Sequence, residues 1–314
     1  MRVARKTVEA LDICSFELVA VDGTPLPAFT AGSHIDVHLP GGLTRPYSLC
    51  NDPAQTQRYR IGVLHDPASR GGSRALHAAV HEGDVLEISP PKNHFSLAPA
   101  ARRSLLLAGG IGITPLLAMA RTLSAQGAPF AMHYCTRTEA RMAFRGEIAG
   151  AAFARDVHLH FDDGSSAQKL SLSDLLEEPQ PGIPLYVCGP SGFMDAVLQT
   201  ARASGWPEDQ LHCEFFSANV GPSSSDASFE VKLARSGRVV RIAADQTVAK
   251  ALALAGVDIP LSCEQGVCGT CLTRVLEGEP DHKDMYLTPE EQAANEQFTP
   301  CCSRSKSALL VLDL

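Results

Sequence analysis

From residue 1 to about residue 100, apolar and polar positions alternate in short runs. SFELVAVDG, HIDVHLPGG, RYRIGVLHD and DVLEISP each divide their side chains between two faces, and Gly, Pro, Asn and Asp separate them. Period-two runs punctuated in this way predict a small antiparallel β-barrel. One helix interrupts it, RALHAAVHE, entered through the glycines of SRGGS. The pattern changes at residue 104. SLLLAGG is apolar throughout, as a strand buried on both faces is, and ITPLLAMARTLSAQG has the period of an amphipathic helix. FAMHYCTR, DVHLHFDDG and LYVCGP read as further strands with helical stretches between them. Strand–helix alternation predicts an α/β doubly wound parallel sheet.

SANVGPSSSDAS then has no apolar period and reads as an interdomain linker. Beyond it, FEVKLARSGRVVRIAAD is a hairpin with Ser-Gly at its turn, TVAKALALAG a helix ending at a glycine, and ALLVLDL a closing strand. The expected division is a barrel domain over 1–100, an α/β domain over 101–216, a linker over 217–226 and a compact third domain over 227–314.

Composition narrows the classes. Of 314 residues, 45% are hydrophobic and 20% charged, which excludes disorder as the main state. No run approaches the ~20 apolar residues of a membrane span, and MRVARKTVEALDICSF lacks the apolar core of an export signal. A cytoplasmic chain with no membrane partner is expected. The net charge of −8 argues against nucleic acid, whose phosphates need a basic face. Ten cysteines in such a chain point to metal binding or redox work rather than a disulfide scaffold.

Four of them stand as Cys263-x4-Cys268-x2-Cys271-x29-Cys301. A two-iron cluster needs four thiolates in two tetrahedra, and a short loop carrying three with a distant fourth is the plant-type ferredoxin spacing. Gly266 and Gly269 let the loop wrap, and backbone N–H groups there can donate to the sulfurs. The alternative, a zinc site, prefers paired knuckles, and only one Cys-x2-Cys pair exists here. Cys301 and Cys302 are adjacent; the spacing selects Cys301 and leaves Cys302 as a packed thiol. The scattered cysteines read as small buried hydrophobes.

Two further constellations bear chemistry. Arg45-Pro46-Tyr47-Ser48 follows a strand; the arginine can pair with a phosphate while the aromatic ring and hydroxyl meet a flavin ring. Gly71-Gly72-Ser73 opens the barrel's helix, an anion site by its N–H groups and helix dipole. In the α/β region, Gly109-Gly110-Ile111-Gly112-Ile113-Thr114-Pro115 turns a buried strand into a helix, and Cys188-Gly189-Pro190 ends another strand. Ligands of open α/β sheets bind at such carboxyl ends, so the two loops favour a nucleotide site. The histidines, His158 and His160 among them, are assigned no chemistry.

RPYS, GGS, GGIGIT, CGPSGFM and CEQGVCGTC, in this order, make the chain resemble the phthalate dioxygenase reductase family along its whole length. RPYSLCNDP, SRGGSRALH, NHF and DHKDMYLTPEE resemble it too. The resemblance implies a β-grasp plant-type ferredoxin domain at the C-terminal end, FMN rather than FAD, NADH as donor and a terminal Rieske-type oxygenase as partner of a monomeric reductase. By motif, it implies that Arg45, Tyr47 and Ser48 contact FMN, that Val63, Leu64 and His65 line its ring edge, and that Gly71, Gly72 and Ser73 lie near its phosphate. Thr114 would reach the flavin from the second domain. Cys188 would lie near the nicotinamide carbon that gives up hydride, with Gly110, Gly112, Gly189, Pro190 and Met194 around the nucleotide. The Glu-x-aromatic pattern of Glu214-Phe215-Phe216 points to Phe216 as the ring over the flavin, with Phe215 left open by spacing. Arg137 is a basic residue that would tolerate a 2′-phosphate.

A hydride carries two electrons and an iron–sulfur cluster takes one at a time, so a flavin must stand between them. A plant-type cluster near roughly −400 mV lies below the NADH donor, so an acceptor downstream pulls the transfer. A stand-alone flavin/iron–sulfur reductase and a non-catalytic redox sensor or carrier are the alternatives. The loop 263–271 carries one charge, Glu264, and the acidic stretch 277–284 either steers a basic partner surface or is solvated loop.

Overall fold

The computed structural model describes residues 1–39, 42–67, 69–99, 101–179, 181–216 and 226–314. The linker expected at 217–226 lies outside the described residues except for Asp226. The chain divides into two compact units, Met1–Glu214 and Phe215–Leu314.

The first unit begins with β1 (Arg2–Ala10), β2 (Ile13–Val19), β3 (Ser33–Leu39), β4 (Leu43–Ser48) and β5 (Tyr59–Leu64), followed by α1 (Gly72–Ala79) and two short pieces, β6 (Glu87–Ile88) and β7 (Lys92–Asn93). Antiparallel sheets β1-β2-β5 and β4-β3-β6 enclose the barrel core. Bridges Leu49↔Ile61 and Arg2↔Val85 tie them. Period two decides what goes inside: Cys14, Phe16 and Leu18 of β2 and Tyr59, Ile61 and Val63 of β5 point inward with Leu76 of α1. The sequence pattern did not predict β1. Its RVARKTVEA buries only Val3 and is held by its ladder to β2, so no apolar alternation marks it.

The same unit continues with β8 (Ser104–Gly109), α2 (Ile113–Ala125), β9 (Phe130–Thr136), α3 (Arg145–Ala149), β10 (Val157–Phe161), α4 (Leu172–Leu176), β11 (Leu185–Cys188), α5 (Ser191–Ala203) and β12 (Leu211–Glu214). The strands run parallel in the order β10-β9-β8-β11-β12. The chain winds outward from β8, returns, and winds outward the other way from β11, so the order reverses between those two strands. Helix α2 covers the face of Leu106, Ala108, Met132, Tyr134, Tyr186 and Cys188, and this core also takes in Ile13, Ala31, Cys50 and Phe95 from the barrel side. That shared apolar core binds barrel and parallel sheet into one unit.

The second unit holds β13 (Phe229–Leu233), β14 (Val239–Ile242), α6 (Val248–Leu254), β15 (Thr273–Glu277), β16 (Pro280–Asp281), α7 (Pro289–Ala294), β17 (Gln297–Phe298), β18 (Arg304–Ser305) and β19 (Leu309–Leu312). β13 pairs antiparallel with β14 and parallel with β19, which pairs antiparallel with β15. The hairpin turns at Gly237 with φ 69°, as the Ser-Gly signal predicts. Thr247 caps α6 and Thr288 with Glu291 forms a capping box on α7. A mixed sheet grasping one helix is the β-grasp architecture; Val248, Ala251 and Leu252 of α6 pack on Val231, Leu233, Ile242 and Leu310.

Candidate functional site

The first unit joins its two barrel motifs. β4 carries Arg45, Tyr47 and Ser48, and the glycines that begin α1 lie against it. A Cβ on Gly72 would stand 2.6 Å from Arg45 Cγ and 3.4 Å from Tyr47 Oη, and one on Gly71, whose φ is +100°, 3.0 Å from Leu43 Cδ1. Only glycine leaves this cradle open. Burial pushes the Tyr47 phenol well above its usual range, so it stays a neutral donor. The first-turn N–H groups of α1 have no intrahelical partner, and Arg45 stands beside them. A phosphate with a ring above it fits this chemistry. Ser73 Oγ holds the loop by accepting from Asp66 N at 3.3 Å. Val63 is buried in the barrel core and Leu64 packs on the neighbouring core, so Val63 can meet a ligand only through its backbone. His65 N donates to Asp12 O, and its ring lies 5.2 Å from that of His77.

A second cradle forms where the strand order reverses, the place where open α/β sheets bind ligands. The Gly109–Thr114 turn leaves β8, and Cys188-Gly189-Pro190 leaves β11. A Cβ on Gly112 would fall 2.1 Å from the Cys188 carbonyl oxygen, and one on Gly189 2.9 Å from Gly109 Cα. The glycines are there because two backbones touch. Gly110 has φ 52° and open space on its Cβ side, as a loop facing a ligand does. Met194 is fully buried in α5, and Pro190 is the cap residue of that helix. Met194 lies on the buried side of α5, and the side chain against Gly109 and Gly189 is that of Phe193. Thr114 is buried, its hydroxyl donating to Ile111 O at 3.0 Å and its methyl turned to β5.

Between the cradles lies a polar contact that sequence reasoning missed. Ser48 Oγ donates to Glu214 Oε2 at 3.3 Å, and Glu214 is the register partner of Cys188 across β11 and β12. Desolvation pushes the Glu214 carboxyl up to about 8, with Ser48 opposing it. Burial, then Glu214 and Cys213, push the Cys188 thiol well up. A neutral thiol at the end of β11 and a carboxyl able to hold a proton near neutrality at the end of β12 thus sit side by side. In the sequence Glu214 appeared only as the marker of an aromatic pattern; a lone glutamate at a strand end carries no signal of its partners. Phe216 belongs to the second unit.

In the second unit the sulfurs of Cys263, Cys268, Cys271 and Cys301 gather in a chain of mutual hydrogen-bonding contacts. Among the described residues no three His, Cys, Asp or Glu side chains are set out as the shell of a metal ion; what the fold provides is four buried sulfurs on one loop and its neighbour. Their donor chemistry fits a two-iron cluster. Hydrogen bonds from Cys268 and Cys301, then from the backbone, push the Cys263 thiol well below its ordinary value, with burial opposing. Gln265 N donates to Cys263 Sγ at 3.3 Å, and Thr270 Oγ1 lies 3.3 Å from Cys268 Sγ. Cys302 has another setting: its sulfur meets Thr299 Oγ1 at 3.1 Å, beneath the loop, where a Cβ on Gly266 would come within 2.4 Å of it. Gly269 lies against the Tyr286 ring, 2.2 Å from where its Cβ would be. The glycines of CEQGVCGTC therefore admit Cys302 and Tyr286 as well as letting the loop wrap.

Comparison with known proteins agrees with this architecture. The family model of the 2Fe-2S iron–sulfur cluster binding domain matches residues 231–306, and that of the dimethylamine monooxygenase subunit DmmA-like N-terminal domain matches 86–211. A vanillate O-demethylase oxidoreductase of Pseudomonas putida is 55% identical over 313 residues, 99% of this chain and 98% of that protein. The solved phthalate dioxygenase reductase, titled a modular structure for electron transfer from pyridine nucleotides to [2Fe-2S], aligns with a TM-score of 0.78 at 41% identity, covering 100% of this chain and 97% of that one. An intact type IV self-sufficient cytochrome P450 monooxygenase aligns with a TM-score of 0.85 at 40% identity, and this chain spans 40% of its length. Fold and site together define an iron–sulfur flavoprotein oxidoreductase. The chain belongs to the phthalate dioxygenase reductase family, alongside the vanillate O-demethylase oxidoreductases.

Proposed function

We propose that this chain is the reductase component of a multicomponent Rieske-type oxygenase, taking electrons from NADH through FMN and a [2Fe-2S] cluster to the terminal oxygenase. The observation that carries the reading is the pair of glycine cradles in one unit, one beside Arg45 and one beside Cys188, joined by Ser48 and Glu214. The four-cysteine loop of the second unit supplies the one-electron end. When bound, FMN accepts a hydride and the two-iron cluster takes single electrons.

The chain's own part is to hold and orient. Arg45 with Gly71, Gly72 and Ser73 holds the phosphate, Tyr47 and Ser48 meet the ring, and the backbone at Val63, Leu64 and His65 forms its edge. Gly110, Gly112, Gly189 and Pro190 let the nicotinamide nucleotide approach, and Cys188 packs on its reacting end as a neutral thiol. Cys263, Cys268, Cys271 and Cys301 hold the irons. Glu214, its carboxyl pushed up to about 8 by burial, accepts from Ser48 Oγ and so ties the strand beside Cys188 to the RPYS strand. The relatives named for vanillate O-demethylation favour an oxygenase that demethylates a methoxylated aromatic acid. The test is oxygenase turnover: purified reductase, NADH and a vanillate-type oxygenase should consume oxygen and release the demethylated phenol. If the reductase oxidises NADH with dyes but never supports any such oxygenase, the assignment to this partner is overturned.

A further inference from the structure

We propose that Arg60, Glu147 and Phe144 form a directional joint that sets the flavin-bearing strand against the nicotinamide loops, making them positioning residues for hydride transfer. The proposal rests on the reductase reading above. Strand β5 has two faces. Tyr59, Ile61 and Val63 fill the barrel core, while Arg60, Gly62 and Leu64 turn to the parallel-sheet half. The same strand ends in the residues proposed to edge the flavin.

At Gly62 the two halves come as close as backbone permits. A Cβ there would stand 2.8 Å from Thr114 Cγ2 and 3.1 Å from the Phe144 ring. Thr114 lies in the first turn of α2, directly after the glycine loop of the nucleotide cradle. Beside it the buried Arg60 guanidinium reaches in both directions: Nη1 to Glu147 Oε2 at 2.7 Å on α3, and Nη2 to Glu9 Oε1 at 3.1 Å on β1. The other Glu147 oxygen pairs with Arg121 of α2, and Glu9 accepts from Ser15 Oγ at 2.6 Å. The guanidinium also stacks 4.7 Å from the Phe144 ring. Phe144 is buried and holds φ at 61°, a left-handed conformation that a bulky residue keeps only when its surroundings dictate it.

Stability alone does not explain this arrangement. Apolar side chains of similar volume usually stabilise a buried joint as well as ions do, and here Arg60 Nε and Arg121 Nε have no hydrogen-bond partner among the described residues. What a forked guanidinium gives is direction: two acceptors on different elements are satisfied in one relative placement. A purely apolar joint would let α2 slide on β5. Hydride transfer is sensitive to such sliding, since a misplacement of about 1 Å can cost on the order of 100-fold in rate.

The experiment uses the full-length holoenzyme and anaerobic stopped-flow reduction of its flavin by NADH, with the primary isotope effect of deuterated NADH, flavin and iron contents, KM and thermal midpoint measured alongside. Arg60→Met should keep its flavin and iron and a KM close to wild type, yet reduce its flavin about 10- to 100-fold more slowly with a larger isotope effect. Arg60→Lys, which restores one charge without the fork, should recover part of that rate. Glu147→Gln keeps size and acceptor and carries the test if Arg60→Met fails to fold; about a tenfold slowing is expected. Wild-type flavin reduction rates in Arg60→Met or Glu147→Gln, with or without a lower thermal midpoint, overturn the joint's role. Wild-type protein whose flavin NADH does not reduce would overturn the reductase reading itself, and the joint's role with it.

Discussion

Ser48 Oγ donates to Glu214 Oε2 across 3.3 Å, joining the end of β4 to the end of β12, 166 residues apart in sequence. The contact ties the RPYS motif to the strand beside Cys188. Burial of the Glu214 carboxyl raises its pKa to about 8 from the ordinary 4.5, and the Ser48 hydrogen bond opposes the rise.

That shift has a sign that can be measured. Between about pH 4.5 and about pH 8 the unfolded chain has released the Glu214 proton while the folded chain keeps it. The unfolded state then binds fewer protons, so this group lowers stability progressively as pH rises through the window and adds no further change above it. Glu214→Gln removes the effect. Its stability relative to wild type should grow from near zero at the acid end to a few kcal/mol near pH 8. Denaturant unfolding at several pH values checks this, and a difference independent of pH would contradict it.

His133 works in the opposite direction. Burial first, then His158, His160 and Arg103, lower its pKa to about 4. Its ring stacks on both neighbours and its Nδ1 lies 3.0 Å from His160 Nε2. As pH falls from about 6.5 towards 4, the unfolded chain takes up a proton that the folded chain refuses, so stability is lost. His133→Gln should shrink that acid loss by about 1–3 kcal/mol. Hydrogen exchange should show the β9–β10 edge opening first below pH 5 in the wild type.

Cys301→Ser should abolish the cluster, whereas Cys302→Ser should leave iron content and visible absorption largely intact. Cys301 contacts Cys263 and Cys271 as well as Cys302, whereas Cys302 touches Cys301 and otherwise meets Thr299 beneath the loop. Iron and sulfide analysis of the two variants decides the order. Gly269→Ala provides a second test of the loop: its added methyl meets the Tyr286 ring and forces a left-handed alanine. A loss of about 1–2 kcal/mol from backbone strain alone, with iron occupancy falling further, is expected.

Much of this was legible in the sequence because the informative residues are local. GGIGIT and CGP stand at strand ends, and the strands that carry them are apolar enough to read, as SLLLAGG and LYVC are. Three of the four ligand cysteines sit in one loop, at a spacing that reads directly. What the sequence withheld are the pairs that only folding creates. Arg60 and Glu147 are 87 residues apart, and each is an ordinary charge in its own segment. Glu214 meets Ser48 only after the sheet is wound. Strand β1 hid because its ladder, not an apolar face, holds it.

The acidic stretch 277–284 is open to solvent in part: Pro280–Asp281 pairs with Arg304–Ser305, and Asp284 is buried. Glu279 pairs with Lys306 at 3.0 Å, and Lys283 lies 3.8 Å from Asp281 and 3.0 Å from Asp226. The Lys283–Asp226 pair is mostly buried, and an exposed pair such as Glu279–Lys306 steers little. Neutralising Glu277, Glu279 and Asp281 together should change the salt dependence of oxygenase reduction by no more than roughly twofold between low and moderate ionic strength. A collapse of the rate would restore the steering role.

The proposed serial transfer places hydride chemistry before residue 217 and one-electron delivery after it. The direct measurement compares the whole chain with a fragment ending at Phe216, following NADH oxidation with ferricyanide and with cytochrome c. The fragment should keep its flavin and its ferricyanide activity and lose efficient cytochrome c reduction, and Cys301→Ser in the full chain should behave the same way. Cytochrome c reduction at the full rate by either protein would contradict the series.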